Sequence, residues 1–381
     1  MNRSIVHLDL DTFFVSVERL RNSKLNNLPI LIGGSSDRGV VASCSREARA
    51  FGVHSAMPMR QAMRMCPQAI IVRPDFDEYS KYSSMVTDII AEQAPVVEKA
   101  SIDEHYLDIS GLDRFFGCLK WTRELRSRVM RETGLPISFG LSENKTVSKI
   151  ATGQAKKMTG ELSIDHGNEK NFLAPLPITA IPGLGDKTAA VLNKKGITYI
   201  QTLQLFPVEP LYQLLGSNGL SLWNKAQGVD TSPVVPYAEQ KSMSKEHTFD
   251  KDTMDIHMLR RLLLSMVDEL AYELRAQKRL CACVTVKIRY ANWDTETMQS
   301  RVTYTASGRV LSEKAAELFK KLYSRRMMLR LIGVKFSDLI GGAYQIDLFN
   351  DAVTDINLAR AMDSIRDQWG LGAVMKGVSF K

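Results

Sequence analysis

Residues 101–108, SIDEHYLD, set Asp103, Glu104 and Asp108 among Ile102, Tyr106 and Leu107, residues of a strand that favours apolar surroundings. Unpaired carboxylates are costly to bury, so the fold must bring positive charge against this strand or open its edge to water. A basic side chain, a bound cation or solvent would each serve. A second acid, Asp9, ends another apolar run, SIVHLDL. Hard oxygens paired on neighbouring strands suit Mg²⁺, which takes octahedral oxygen ligands and shares them with substrate phosphates. The same acids have plainer uses. Asp9 or Asp11 could serve the start of the helix DTFFVSVERL, for which Asp11 or Thr12 is the expected cap, and Asp103 and Glu104 could sit in an exposed turn.

The rest of the chain alternates in period. LPILIGG and GVVASCS read as short strands, SREARAFGV and residues 59–66 as short helices, and DFDEYSKYSSMVTDIIAEQ as an amphipathic helix. VVEKASIDEHYLDIS reads as two strands around a tight turn. KWTRELRSRVMRET is a helix stopped by Gly134, and LPISFGLS is a strand. To about residue 170 the chain is thus mixed α/β, helices on a sheet. Residues 172–232 read as mostly helical, and 233–241, with two prolines and few apolar residues, as a linker. From 242 the order is strand, helix, strand, strand, helix, strand, a βαββαβ unit, followed by a tail from 342 with one helix. The fold class expected is α/β (α+β), multidomain.

Charge singles out one of these parts. Residues 241–341 hold 19 Lys/Arg against 12 Asp/Glu, whereas the whole chain of 381 residues has a formal charge of +8. That unit carries nearly all the excess, as expected of a surface that grips a polyanion, although a solubilising surface reads the same way. No apolar run is long enough to span a bilayer, and the amino terminus meets acids too early for a signal peptide. The five cysteines, Cys44, Cys66, Cys118, Cys281 and Cys283, lack zinc-type spacing; Cys281 and Cys283 share one strand face and read as buried thiols. A reducing cytoplasm is the expected location.

Five stretches in order, HLDLDTFFVSVE, SREARAFGVHSAMPM, SIDEHYLD, GLSENKTVSKIAT and IPGLGDKTAAVL, resemble a Y-family translesion DNA polymerase of the bacterial DNA polymerase IV branch, over residues 4 to about 340. The resemblance implies a right-hand polymerase: palm 1–10 and 76–170, small fingers 11–75, thumb 171–232 with a helix-hairpin-helix, linker 233–241, little finger 242–341 and a carboxy-terminal tail 342–381. It implies low-fidelity, template-directed extension of primers past damaged DNA, without proofreading, and two Mg²⁺ ions per site. Asp9, Asp103 and Glu104 would be catalytic metal ligands, with the Leu10 carbonyl as a further ligand. Asp108 matches no ligand position and reads as part of a turn or a surface pair.

The nucleotide contacts implied are Phe14, as a ring under C2′ that rejects a 2′ hydroxyl, Phe13 through its backbone, and Ser43, Arg46, Arg49 and Lys156 on the triphosphate. Three departures stand out. Arg46 replaces the usual tyrosine, His105 replaces a small or apolar residue, and AKKMTG lacks a proline, which leaves Lys156 in competition with Lys157. DNA contacts are expected from Gly183, Gly185 and Lys187 in the hairpin, where both glycines would permit a tight turn. In CVTVKIRY, Lys287 and Arg289 share a strand face, near Arg301 of the next strand. QIDLF resembles the pentapeptide that docks bacterial polymerases on the sliding clamp, through Gln345, Leu348 and Phe349. The helix after it could pack on the body or form a further contact. Primer-template DNA, dNTP and clamp are thus the expected partners, with no membrane and a monomeric chain. The competing readings are a non-catalytic adaptor binding DNA and clamp, which would need none of the acids, and a nucleotidyl cyclase, which would leave the hairpin and the basic unit unexplained.

Overall fold

The computed structural model describes residues 3–34, 36, 38–112, 117–236, 239–342, 352–375 and 377. The chain divides between residues 238 and 239 into two compact units. Among the described residues no helix is long and apolar enough to cross a membrane, and all five cysteines are free thiols. Burial, with Cys283 alongside, pushes the Cys281 thiol up to about 12.

The first unit opens with β1 (Ile5–Leu10) and α1 (Phe13–Arg21), then β2 (Ile30–Gly33), β3 (Val41–Cys44), α2 (Arg46–Arg49), α3 (Met59–Met65) and β4 (Ile70–Val72). β2 pairs antiparallel with β3 and parallel with β4 in a small sheet of their own. There follow α4 (Phe76–Gln93), β5 (Val96–Lys99), β6 (Glu104–Asp108), α5 (Cys118–Thr133), β7 (Ile137–Ser142), α6 (Lys145–Ala155) and β8 (Glu161–Ser163). The larger sheet has the order β5-β6-β1-β7-β8, with β1 in the middle and antiparallel to both neighbours.

Alternation along β1 decides which face each residue serves. Val6, Leu8 and Leu10 enter the core that α4 and α5 build with Tyr79, Val86, Ile90, Leu125 and Val129. Ile5, His7 and Asp9 take the other face. There Ile5 packs with Tyr106 and Val234, and His7 meets Thr152 of α6 at 2.9 Å. α6 lies so close to β7 that a Cβ at Gly140 would come within 2.2 Å of the Ser148 carbonyl oxygen and 2.6 Å of Thr152 N. Neither Asp11 nor Thr12 caps α1. Thr12 holds the N-cap position in a left-handed conformation, φ 45°, with no side-chain cap, and Ser16 Oγ donates to the Asp11 carbonyl at 2.8 Å instead. This turn is a strained one for a β-branched residue.

Five helices complete the unit: α7 (Glu169–Leu173), α8 (Asp186–Asn193), α9 (Ile200–Leu205), α10 (Val208–Leu215) and α11 (Ser217–Ala226). Leu173, Leu192, Leu203, Leu211 and Leu222 share one core, which reaches α6 through Val147 and Ile150. Beyond α11 the chain is still tied to the first unit. Val235 N donates to Glu98 at 2.7 Å, and Val234 is buried, so residues 233–235 of the expected linker are anchored rather than free.

The second unit is β9 (Ser242–Thr253), α12 (Ile256–Ala276), β10 (Arg279–Tyr290), β11 (Thr295–Thr305), α13 (Gly308–Leu322) and β12 (Leu329–Gly341), the βαββαβ order read from the sequence. Its sheet runs β11-β10-β12-β9. Val284, Val286, Ile288 and Tyr290 face α12 and α13 in one core. The residues 343–351, and with them Gln345, Leu348 and Phe349, lie outside the described residues. α14 (Ala352–Trp369) packs on this unit by charge. Arg366 pairs with Asp268, Arg275 with Asp363 at 2.5 Å, Arg309 with Asp355 at 2.6 Å, and Tyr272 donates to Asp367 at 2.5 Å.

Arg366 is only 4% exposed, and a buried pair that loses one partner leaves a charge uncompensated, at about 3–5 kcal/mol. Asp268→Ala should therefore loosen α14, seen as protease cleavage within 352–369 and a lower denaturation midpoint. The apolar pair Asp268→Leu/Arg366→Met should recover most of the loss. Equal cleavage of wild type and Asp268→Ala would show that the pair does not hold the helix.

Candidate active site

β1 and β6 run antiparallel with Asp9 directly opposite Glu104. Asp103 stands one residue before β6, its carbonyl accepting from Leu10 N at 3.0 Å. The sheet thus gathers the three acids at the carboxy-terminal end of β1. Like charges directly opposite on neighbouring strands repel, and the counter-charge comes from α6. Lys156, at the carboxy-terminal cap of α6, places Nζ 2.5 Å from Asp9 Oδ1. Lys149 places Nζ 2.5 Å from Glu104 Oε2. Asp103 Oδ1 accepts from Ser101 Oγ at 2.6 Å. Within SIDEHYLD, Glu104 thus receives positive charge from Lys149, whereas Asp103 is met by a serine hydroxyl.

The two opposed acids respond differently. Burial raises Asp9 to about 6, Lys156 working against it and Asp103 and Glu104 adding to it. Glu104 is held down at about 2 by His7 and Lys149. His7 Nε2 lies 3.8 Å away, and burial keeps this imidazole below its ordinary pKa, so the Lys149 ammonium carries the charge in this contact. A carboxyl raised by burial and by neighbouring acids favours a cation, and the donor set is all oxygen. The residues present therefore fit a hard divalent ion. Among the described residues the acids do not point at one centre: Asp9 is turned to Lys156, Glu104 to Lys149 and Asp103 to Ser101.

An open cleft borders this end of the sheet, lined by Asp9, Leu10, Asp103, Thr12, Phe13, Phe14, Ala42, Ser43, Ser55, Arg49 and Lys156. Phe14 is stacked on Tyr79, ring centroids 4.3 Å apart at 14°, with Phe76 edge-on at 5.9 Å. Tyr79 is itself fixed by donating to Glu18 at 2.7 Å. Phe13 is buried in the sheet core. Ser43 is buried on β3 and Arg49 is exposed at the end of α2. Arg46 stays outside the lining; its guanidinium lies 3.5 Å from Asp11 Oδ2, and Ser138 Oγ donates to both Asp11 oxygens at 3.0 and 2.9 Å. Between the two lysines the geometry favours Lys156, since Lys157 turns to Gln154 at 3.4 Å. His105 is a core residue: fully buried, 2.9 Å from Thr87 Oγ1, and pushed down to about 4, chiefly by burial. Asp108 closes a turn by accepting from Ser110 N and Oγ at 3.0 and 2.6 Å.

The remaining expected residues are not among those lining the cleft. Gly183 takes φ +88°, a conformation that favours glycine. Gly185 is extended at φ −80°, so the turn needs one glycine conformation where two were expected. Both are exposed, as is Lys187, and Lys225 Nζ donates to the Pro182 carbonyl at 3.2 Å. In the second unit Lys287 bonds Glu246 at 2.8 and 3.0 Å, and Arg289 donates to Thr295 at 2.8 Å. Arg301 is 3.7 Å from Asp338. This basic face is therefore partly neutralised by its own acids. Sequence reasoning missed Lys149, His7 and Tyr79. The lysines were visible at i, i+4 and i+11 in KTVSKIATGQAK, positions 145, 149 and 156 of one helical stripe.

The two opposed acids should affect stability with opposite signs. A folded pKa raised to about 6 means that Asp9 binds its proton more tightly when folded, so its contribution weakens as pH rises from about 4 to 6. Glu104, lowered to about 2, stabilises above its unfolded pKa and loses that contribution as pH falls towards 2. In metal-free buffer at pH 7.5, Asp9→Asn should raise unfolding free energy by about 1–3 kcal/mol and Glu104→Gln should lower it. Denaturant titration that gives the same sign for both would refute this electrostatic account.

Family profiles match in three places. The impB/mucB/samB family covers residues 8–153, its carboxy-terminal domain 240–348 and the IMS family HHH motif 166–197. The protein "DNA polymerase IV" of Dehalococcoides mccartyi is 35% identical over 100% of this chain and 98% of its own length. That of Halorhodospira halophila is 35% identical over 91% and 98%. Among solved structures, a Y-family DNA polymerase chimera of Dbh and Dpo4 matches with TM-score 0.79 at 25% identity, over 89% of this chain and all of that one. An insertion ternary complex of Dbh DNA polymerase matches with TM-score 0.65 at the same identity and coverage. By these matches the chain belongs to the impB/mucB/samB family, in the DNA polymerase IV branch of the Y-family DNA polymerases.

Proposed function

We propose that the protein is a translesion DNA polymerase whose catalytic centre is the junction of β1 and β6. The observation that carries this is that Asp9, which faces Glu104 across the strands, and Asp103 line one cleft with the fixed ring of Phe14. Homology implies divalent metal in catalysis; in the finer reading Asp9, Asp103, Glu104 and the Leu10 carbonyl would hold two Mg²⁺ ions. Such ions would activate a primer 3′ hydroxyl and neutralise the charge of the departing pyrophosphate. The chain's own residues do the positioning. Ser43, Arg49 and Lys156 would hold the triphosphate, with Arg46 reaching from the rim by exchanging Asp11 for phosphate. Phe14, pinned by Tyr79 and Phe76, would lie under the sugar and leave no room for a 2′ hydroxyl, with Phe13 contributing its backbone.

In this reading residues 1–10 and 76–170 are the palm, 11–75 the fingers, 171–232 the thumb, 233–241 the linker, 242–341 the little finger and 342–381 the tail. Gly183, Gly185 and Lys187 of the first unit, and Lys287, Arg289 and Arg301 of the second, would each meet phosphates of the primer-template, which makes binding strongly salt-dependent. Gln345, Leu348 and Phe349 would dock a bacterial sliding clamp. The protein would work as a cytoplasmic monomer of low fidelity without proofreading.

Primer extension with Mg²⁺, comparing wild type, Asp103→Asn and Phe14→Ala, tests the reading. Asp103→Asn should lose extension while keeping DNA binding. Phe14→Ala should lose at least tenfold, about 1.4 kcal/mol, of its preference for deoxynucleotides over ribonucleotides. Extension by Asp103→Asn at the wild-type rate would remove the assignment of the centre. A folded wild type that binds DNA and does not extend it would favour a non-catalytic adaptor.

A further inference from the structure

Glu143, His166 and Glu169 each bring a ligand atom within 4.8 Å of the other two, away from the acids of β1 and β6. Three segments of the first unit meet there. Glu143 precedes Asn144, the N-cap of α6; His166 stands in the turn after β8; Glu169 opens α7. His166 Nδ1 is 2.5 Å from Glu143 Oε1. Gly228, beyond α11, packs so closely that a Cβ on it would lie 2.8 Å from Glu169 Cβ, and its carbonyl accepts from Asn144 Nδ2 at 2.8 Å.

The independent observation is at Glu169. This side chain is only 8% exposed, and its Oε1 is buried with no hydrogen-bond partner. A carboxylate oxygen in that position is costly unless something satisfies it. The ion pair beside it uses His166 and Glu143 on each other and leaves Glu169 unsatisfied. A metal ion would engage all three.

We propose that Glu143, His166 and Glu169 form a second metal site, selective for a borderline divalent ion of the Zn²⁺ class. One imidazole nitrogen and two carboxylates suit Zn²⁺ better than Mg²⁺, which prefers oxygen alone. Three protein ligands leave a fourth, tetrahedral position to water. Ligand bonds of about 2.0–2.1 Å put tetrahedral neighbours about 3.3 Å apart, so His166 and Glu143 need to separate by less than 1 Å. His166, 63% exposed at its side chain, is free to do so. Binding replaces any proton shared between His166 Nδ1 and Glu143 with the ion, and that proton leaves to solvent. The bound ion ties α7, the start of the helical part, to the β7–α6 turn of the sheet.

Equilibrium dialysis of the full chain against micromolar Zn²⁺, with millimolar Mg²⁺ present to occupy all-oxygen sites, tests the site. Wild type should retain one Zn²⁺ per chain more than His166→Gln or Glu169→Gln, and Zn²⁺ should raise Tm for wild type more than for either variant. His166→Gln changes an exposed side chain and keeps the fold, which Tm without zinc verifies. Equal zinc retention by wild type and His166→Gln overturns the proposal, as does a wild type that binds no zinc. The variants keep the acids of β1 and β6, so this result is independent of the polymerase reading.

Discussion

One face of α6 is matched, residue by residue, to one face of the sheet. Lys145 holds both oxygens of Glu98 at 2.6 and 2.7 Å, Lys149 pairs with Glu104, Thr152 with His7 and Lys156 with Asp9. The spacing of four, three and four is one stripe of a helix, and its partners lie on β5, β6 and β1. Without that stripe, two carboxylates opposite each other on central strands would repel with no counter-charge. Gly140 sets how close the stripe can come, because any side chain there would strike the backbone of α6.

The cleft depends on the same economy of contacts. β1 delivers Asp9 to one face and Leu10 to the other, and the left-handed Thr12 turns the chain at once into α1. Phe14 therefore arrives within the same cleft as Asp9. Its ring is not left to find its own rotamer: Tyr79 of α4 stacks on it, and Glu18 holds Tyr79 by the hydroxyl. Acid pair and aromatic floor are thus fixed by different layers, α6 on one side of the sheet and α4 on the other.

Much of this was legible in the sequence, for reasons that can be named. The alternation of CVTVKIRY marked a strand with one buried face, and Val284, Val286, Ile288 and Tyr290 are all buried. SIDEHYLD announced a need for positive charge, though not its source. The pairing of α6 with β6 and β1 is tertiary, so nothing in the sequence alone singles out Lys149. Tyr79 is not singled out by the amphipathic pattern of its helix, because its stack on Phe14 spans 65 residues of chain. Capping at Asp11 or Thr12 failed because the turn spends its hydrogen bonds on Ser16. The Glu246 partner of Lys287 was not legible, since it reaches across from β9, beyond β12, and periodicity along one strand carries no information about the others.

The central claim is that α6 sets the ionisation of the acids on β1 and β6. The most direct measurement is the titration of the Asp9 carboxyl by ¹³C NMR in metal-free protein, wild type against Lys156→Met. The account requires a midpoint near 6 in wild type and a higher one in the variant, because the ammonium that opposes burial is gone. A midpoint at the ordinary aspartate value, unmoved by Lys156→Met, would contradict it.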